Sequence, residues 1–184
     1  MSSKLKELTW AHHQSAERRA FARELISGKI DPKLYHKFLT CQYMNYAVLE
    51  KHTKLPSNLN SIKRAPRIFQ DIRELEQLFG LAPDGKFPHS VNEYAAHINM
   101  LAAEEDNQSL LAHMYVRHFG ELHGGQMIKK KIPGSGIMYE FEGDTKVLIE
   151  EFRKLLSDDM ADEAKVCFDF ASKLFDELSL EIKE

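Results

Sequence analysis

Apolar residues recur at helical spacing along nearly the whole chain, and this pattern excludes most fold classes. Asp31-Pro32 is a typical helix start, with Asp as N-cap and Pro in the first turn, and Gly28 and Gly80 are suited to end helices. No window shows the β-branched alternation of a strand. The spacing predicts an all-α fold of seven or eight helices, over about residues 4–17, 18–27, 32–54, 66–79, 90–103, 106–131, 144–156 and 158–181.

Length and composition are those of one globular domain. The chain has 184 residues, of which 43% are hydrophobic and 29% charged. No internal repeat, low-complexity run or composition shift divides it, so we expect a single domain over residues 1–184. The segments 57–64, 81–89 and 132–136 are predicted to be loops or turns.

Charge, hydropathy and cysteine usage exclude several classes of protein. The net charge of −3 argues against general nucleic-acid binding. No run reaches the roughly 18 apolar residues that span a membrane, and the N-terminal residues lack the apolar stretch of a secretory signal. Cys41 and Cys167 lie in apolar helical contexts and form no CxxC pair, which favours reduced core residues. We expect a soluble, cytoplasmic protein, and a monomer by default.

The segment 111–131 is an unusual helix because three glycines, Gly120, Gly124 and Gly125, interrupt it. Each interior glycine costs about 0.5–1 kcal/mol relative to alanine, so the three together cost on the order of 2–3 kcal/mol. Gly120 and Gly124 are four apart and share a face, and the adjacent pair predicts a kink. Two interpretations stay open: another helix packs closely here, or a flat ligand lies against the glycines.

Two adjacent histidines in the first helix are candidate ligands. His12 shares a stripe with Leu5 and Leu8, so periodicity slightly favours it as the inward residue. His13 has Glu17 four residues on, where a carboxylate can reach the second ring nitrogen, as it does for many metal-bound histidines. A partly buried structural histidine is the alternative.

One imidazole without a second nearby ligand does not describe a zinc site, which needs three or four protein ligands. It does fit the axial ligand of a haem, whose porphyrin supplies the equatorial donors. The other histidines, such as His36, His52, His89 and His97, show no ligand spacing and are interpreted as surface or capping residues.

Four segments, in family order and covering most of the chain, resemble regions of haem oxygenases. Within residues 8–30, the segment HHQSAE is similar to a His-x-x-Ala/Ser-Glu-like core of the family. Within residues 35–50, the segment YMNYAVLE is similar to a Tyr-x-x-Tyr-x-Ala-Leu-Glu helix. YVRHFGELHGGQMIKK (115–130) resembles the distal helix, commonly Tyr-x-Arg-x-x-Gly-Asp-Leu-Ser-Gly-Gly-Gln. EAKVCFDFASKLFDEL (163–178) resembles the final helix. The implied fold is a helical domain with haem between a proximal helix and a kinked distal helix.

The resemblance implies a role for individual residues on both sides of that haem. Its register selects His13, not His12, as the iron ligand, with Glu17 orienting the ring. Tyr46, Arg117 and Glu121 would line or support a distal water network, as catalytic residues.

The resemblance also implies how the ring is bound. Gly120 and Gly124 would let the distal helix approach the ring plane, and Tyr115 would lie near the haem edge. Lys6 and, by a weaker alignment, Arg153 would pair with the haem propionates.

The family's chemistry uses haem b both as cofactor and as substrate. Molecular oxygen and external electrons open the ring, giving biliverdin (the α isomer by family default), carbon monoxide and ferrous iron. The sequence has no flavin or nucleotide motif, so the resemblance implies a separate electron donor such as ferredoxin or a flavin reductase. Lys129–Lys131 with Arg18, Arg19 and Arg23 form a candidate docking face for an acidic ferredoxin, or simply a solvated surface.

This chain departs from the family pattern at several positions. Glu121 stands where aspartate is usual, so it either reaches nearer the iron or the pocket is reshaped around it. Trp10 occupies the place of a propionate-facing lysine in some members, and His123 that of a small residue. These departures keep open a non-catalytic haem-binding, sequestering or sensing protein. A haem-free relative, such as a thiamin-degrading enzyme, leaves the paired glycines unexplained.

Overall fold

The computed structural model describes residues 3–182, and within them the secondary structure consists of helices without a strand. The predicted all-α class is therefore confirmed. Eight α-helices follow one another along the chain: α1 (Ser3–Glu17), α2 (Ala20–Ser27), α3 (Pro32–His52), α4 (Ala65–Phe79), α5 (His89–Ala103), α6 (Asn107–Lys129), α7 (Thr145–Arg153) and α8 (Ala161–Ser179).

The helix ends follow the local sequence. The Asp31 carboxylate accepts hydrogen bonds from the backbone N–H groups of Lys33 and Leu34, at 2.8 and 3.3 Å, and so caps α3 as predicted. Gly28 and Gly80 end α2 and α4 with φ of 78° and 63°, a left-handed conformation that favours glycine.

The predicted bounds were wrong at some connections. The segment 57–64, predicted as a loop, contains a 3-10 helix over Ser57–Ile62. Leu59 and Ile62 lie on one side of it, because residues three apart are aligned in a 3-10 helix, and both are buried. The predicted helix 158–181 divides into a 3-10 turn, Asp158–Met160, followed by α8.

The long helix α3 lies at the centre and packs against α4, α5 and α6, while α8 packs against α1, α2 and α6. Apolar side chains fill the two regions between these layers. Cys41 and Cys167 are buried and free, which agrees with their interpretation as reduced core residues. Among the described helices, each is too short or too polar to cross a bilayer. This packing holds α1 and α6, the two helices with the unusual sequence features, on the α8 side of the molecule.

Candidate functional site

The first helix packs on α8 through a face that differs from the predicted one. Leu5, Thr9 and Ala16 are buried there, whereas Leu8 is 41% exposed. The expected inward stripe of Leu5, Leu8 and His12 is therefore wrong. Leu8 lies at the margin of the face that contacts α8, and Thr9 takes the buried place one turn after Leu5, so helical spacing alone selected the wrong neighbour of Leu5.

His12 and His13 are exposed to the same extent, 37% and 38% of each side chain, but have different surroundings. Nε2 of His12 lies 4.0 Å from a carboxylate oxygen of Asp169 on α8. The His13 ring stacks on Trp10 with 5.2 Å between ring centroids, and meets Phe168 edge-on at 5.6 Å. Two aromatic rings thus fix the His13 imidazole, while part of it stays accessible to a ligand.

Glu17 lies beside His13 as the i, i+4 spacing predicts. Its carboxylate is 3.6 Å from Nδ1 of His13, which is longer than a hydrogen bond. Nδ1 is shielded from solvent and has no hydrogen-bond partner among the described residues. A carboxylate next to one ring nitrogen, with the ring still accessible, is an arrangement suited to an axial metal ligand.

The three glycines of α6 have different environments. A Cβ on Gly125 would lie 2.6 Å from Cδ1 of Tyr139, so this glycine is required because Tyr139 packs against the helix. A Cβ on Gly120 or Gly124 would meet no atom within 4 Å. Close packing therefore explains Gly125, whereas the helix face is open at Gly120 and Gly124, and a flat ligand against these two glycines stays a prediction. The helix continues through all three, and the kink stays a prediction.

A buried polar cluster lies on the same helix. The Tyr46 hydroxyl donates a hydrogen bond of 2.5 Å to Oε1 of Glu121. Nε of Arg117 donates to the Tyr94 hydroxyl at 3.0 Å, and one terminal nitrogen donates to Gln42 at 3.2 Å. The second carboxyl oxygen of Glu121 is buried without a partner among the described residues. The Glu121 carboxyl thus contacts Tyr46 through one oxygen, and the other oxygen is available to a water or a ligand.

The surroundings of Glu121 favour its protonated form. Burial raises the pKa of this carboxyl to about 8, against the smaller opposing effects of the Tyr46 hydrogen bond and the positive charges of Arg64 and Arg117. Near neutral pH, Glu121 therefore holds a proton inside the protein.

This pKa predicts that Glu121→Gln stabilises the haem-free protein at pH 8 but much less at pH 5. The unfolded carboxyl ionises near its ordinary pKa of 4.5, whereas the folded one stays neutral until about 8. Wild type therefore loses stability as the pH rises through this window, and the uncharged amide does not. We expect the advantage of the variant to grow by about 3–4 kcal/mol between pH 5 and 8. Urea unfolding of both proteins at the two pH values measures it, and an equal advantage at both would contradict the buried neutral carboxyl.

Three further residues of the implied site lie at its edge. Tyr115 is half-buried, and burial raises its pKa, against the opposing effects of the Thr9 hydroxyl and the Arg153 charge. Because Thr9 is on α1 and Arg153 on α7, these two helices adjoin α6 at Tyr115. Arg153 is exposed at the end of α7. Lys6 is exposed, with Nζ 5.7 Å from the centroid of the Trp10 ring. Both cations are free to meet acidic groups of a ligand.

These residues fit an iron porphyrin: the accessible His13 imidazole held by aromatic rings on α1 and α8, an open glycine face on α6, a buried polar cluster beside it and exposed cations at the edge. The sequence profile of the Heme oxygenase family matches residues 1–177. The chain belongs to the haem oxygenase family. Enzymes of this family cleave haem to biliverdin, with haem as substrate and oxygen as co-substrate.

Individual haem oxygenases are similar over almost the whole chain. That of Porphyra purpurea is 27% identical, over 99% of this chain and 88% of its own length. Heme oxygenase 2 of Rattus norvegicus is 25% identical, and this chain spans 65% of it. The crystal structure of heme oxygenase-1 from the cyanobacterium Synechocystis, in complex with heme, has a TM-score of 0.82 at 25% identity, covering 96% of this chain and 91% of that one. The haem oxygenase fold expected from the sequence is therefore confirmed.

Sequence reasoning missed the neighbours of His13 and assigned two other histidines to the wrong environment. Trp10 and Phe168 hold His13, whereas the sequence pattern identifies Trp10 only as a replacement for a propionate-facing lysine. The prediction that His36 and His97 are surface or capping residues is wrong: both lie within helices, His36 is buried against Glu76, and His97 is half-buried. Their partners come from other helices, so no local spacing signals them.

Proposed function

We propose that this chain is a haem oxygenase that opens haem b with molecular oxygen and electrons, yielding biliverdin, carbon monoxide and ferrous iron. Opening at the α position follows the family default. The observation that carries the proposal is the accessible imidazole of His13, held by Trp10 and Phe168 with Glu17 beside it, in a chain whose α6 offers both an open glycine face and the buried carboxyl of Glu121. We propose further that residues 1–184 act as one domain.

Binding would involve both α1 and α6. His13 would bind the iron through the nitrogen that does not face Glu17, whose carboxylate would hold the ring in one tautomer. Gly120 and Gly124 would allow the backbone of α6 to lie close to the ring plane. Haem would supply both the redox-active iron that reacts with oxygen and the porphyrin ring that is cleaved.

The propionates would meet the cations at the edge of the site. Lys6 and Arg153 are exposed, and the Tyr115 hydroxyl lies near Arg153 and Thr9 at the same edge. Pairing of a cation with a carboxylate at a partly shielded edge would fix the rotation of the ring, and therefore which meso carbon faces the distal cluster.

On the distal side, Glu121, Tyr46 and Arg117 would order water and supply protons. Tyr46 donates to one carboxyl oxygen and leaves the other free to contact a water. A carboxyl that stays neutral near pH 7 can release a proton to that water, which is the task of a general acid. The Arg117 side chain, held by Tyr94, keeps its charge close to the cluster without neutralising Glu121 by a direct ion pair.

Replacing Glu121 with alanine is expected to lower the rate of biliverdin formation by about 10²–10⁴-fold, the usual contribution of a positioned acid. Haem should still bind, because His13 and the glycine face are unchanged. Single-turnover absorption spectra with a reductant and air measure both properties. Unchanged turnover in Glu121→Ala would refute its role.

The decisive experiment separates catalysis from simple haem binding. Purified protein is loaded with haem and given a reductant and air; an enzyme converts the Soret band into the biliverdin spectrum and releases carbon monoxide. A haem-sequestering or sensing protein on the same scaffold would keep its Soret band. We expect conversion, and a stable Soret band under these conditions would establish the alternative.

We propose that reduced ferredoxin or a flavin reductase supplies the electrons. We propose also that the enzyme acts in the cytoplasm as a monomer. The end of α6 adjoins α2, since a Cβ on Gly28 would lie 3.5 Å from the Lys131 side chain. Within the proposed basic face, Lys129 pairs with Glu140 at 2.5 Å and Arg19 with Asp176 at 3.2 Å. The remaining cations (Arg18, Arg23, Lys130 and Lys131) would meet an acidic donor.

Raising the salt concentration is therefore expected to slow turnover supported by ferredoxin, because ions screen the attraction between the two proteins. Turnover driven by ascorbate, a small reductant that needs no docking face, serves as the control and should change little. Equal salt dependence with both reductants would contradict docking at this face.

A further inference from the structure

A group of three metal-binding side chains lies apart from His13. His97 on α5, His113 on α6 and Glu163 on α8 present ligand atoms that all lie within 4.8 Å of one another. Oε1 of Glu163 is 2.6 Å from Nε2 of His97 and 2.7 Å from Nε2 of His113. Two imidazole nitrogens thus converge on one carboxylate oxygen from three different helices.

The cluster is enclosed on one side and open on the other. His113 is completely buried, whereas the side chains of His97 and Glu163 are 20% and 21% exposed. The Tyr94 ring packs against His113 at 5.3 Å, and Phe170 packs against His97 at 5.5 Å. Aromatic walls therefore restrict both imidazoles, and the exposed edge leaves a path for a small ion.

We propose that His97, His113 and Glu163 bind a first-row divalent transition-metal ion. Two imidazoles and one carboxylate are the donors of many zinc and non-haem iron sites, with the remaining positions open to water. With an ion about 2.0–2.2 Å from each ligand atom, the three ligand atoms would lie about 3–3.5 Å from one another. Small side-chain rotations within the observed group suffice to reach that spacing.

A fourth group supports the site from behind. Cys167 follows Glu163 by one helical turn, and its buried thiol is a neighbour of the His113 imidazole. Nδ1 of His113 is buried without a hydrogen-bond partner among the described residues, and its Nε2 is the nitrogen that faces Glu163. A metal on Nε2 would make Nδ1 a donor, and the Cys167 sulfur is the nearby group able to accept from it.

Titration calorimetry with Zn²⁺ on the haem-free full-length protein tests the proposal. We expect one tight site in wild type, and an affinity at least about tenfold lower in His97→Gln and in Glu163→Gln. His89→Gln is the matched control: His89 begins the same helix, is 79% exposed and lies 3.4 Å from Glu93, an ordinary surface pair. Its affinity for Zn²⁺ should equal that of wild type, as should that of His13→Ala.

Unchanged Zn²⁺ affinity in His97→Gln, or an equal loss in His89→Gln, would overturn the site. Circular dichroism verifies the fold of each variant, and Glu163→Gln gives the same test if His97→Gln does not fold. Co²⁺ added to wild type provides a measurement that needs no variant. We expect the strong visible bands of a four- or five-coordinate ion, and the faint spectrum of hydrated Co²⁺ at equimolar protein would refute the proposal.

Discussion

His13→Ala is expected to lower turnover of haem to biliverdin by at least about 100-fold and to change the Soret spectrum of the haem complex. Loss of supporting groups around a metal ligand already costs 10–100-fold, so loss of the ligand itself should reach the upper end or beyond. The haem-free fold should lose only about 1 kcal/mol, because the ring is 38% exposed and packs mainly against Trp10 and Phe168. Added imidazole, which fills the space left by the side chain, should restore part of the spectrum.

His12→Ala is the matched control. His12 is the neighbouring residue, has the same exposure and has Asp169 as its carboxylate neighbour on α8. The variant should bind haem with an unchanged spectrum and turn it over at nearly the rate of wild type. The reverse outcome is a normal spectrum in His13→Ala and a lost one in His12→Ala. It would assign the iron ligand to His12, the residue that helical periodicity favours.

The helices themselves could be predicted because their signals are local. The apolar spacing within 32–54, the Asp31 cap and the stop at Gly80 are all read within a few residues, and α3 and α4 form where expected. The face of α1 that packs on α8 could not be predicted, since Leu8 and Thr9 are both compatible with a turn after Leu5. Only the neighbouring helix decides between them, and it selects Thr9.

The site shows the same division. The family resemblance identifies the candidate site residues of α6. It does not predict the contact that accompanies the protonated state of Glu121. Its partner Tyr46 lies 75 positions away on α3, and the burial that raises the Glu121 pKa depends on all the surrounding helices. Likewise His97, His113 and Glu163 come from three helices, so no spacing in the sequence brings them together.

The three glycines of α6 permit a test in which stability and haem binding change in opposite directions. Gly120→Leu and Gly124→Leu should stabilise the haem-free protein by about 0.5–1 kcal/mol, because a helix-favouring residue enters open space. The same side chain would occupy the volume proposed for the porphyrin, so haem affinity should fall at least about tenfold. Thermal unfolding and haem titration followed at the Soret band measure the two effects on the same samples.

Gly125→Ala is the control with the opposite pattern of stability. Its Cβ would lie 2.6 Å from the Tyr139 ring, so the variant should lose about 1–3 kcal/mol of unfolding free energy. Its haem affinity should fall far less than that of the leucine variants, since Tyr139 and not the ligand meets this position. If both leucine variants bind haem as wild type does, the open face of α6 is not where the ring lies, and Gly120 and Gly124 would need another explanation for their cost in helix stability.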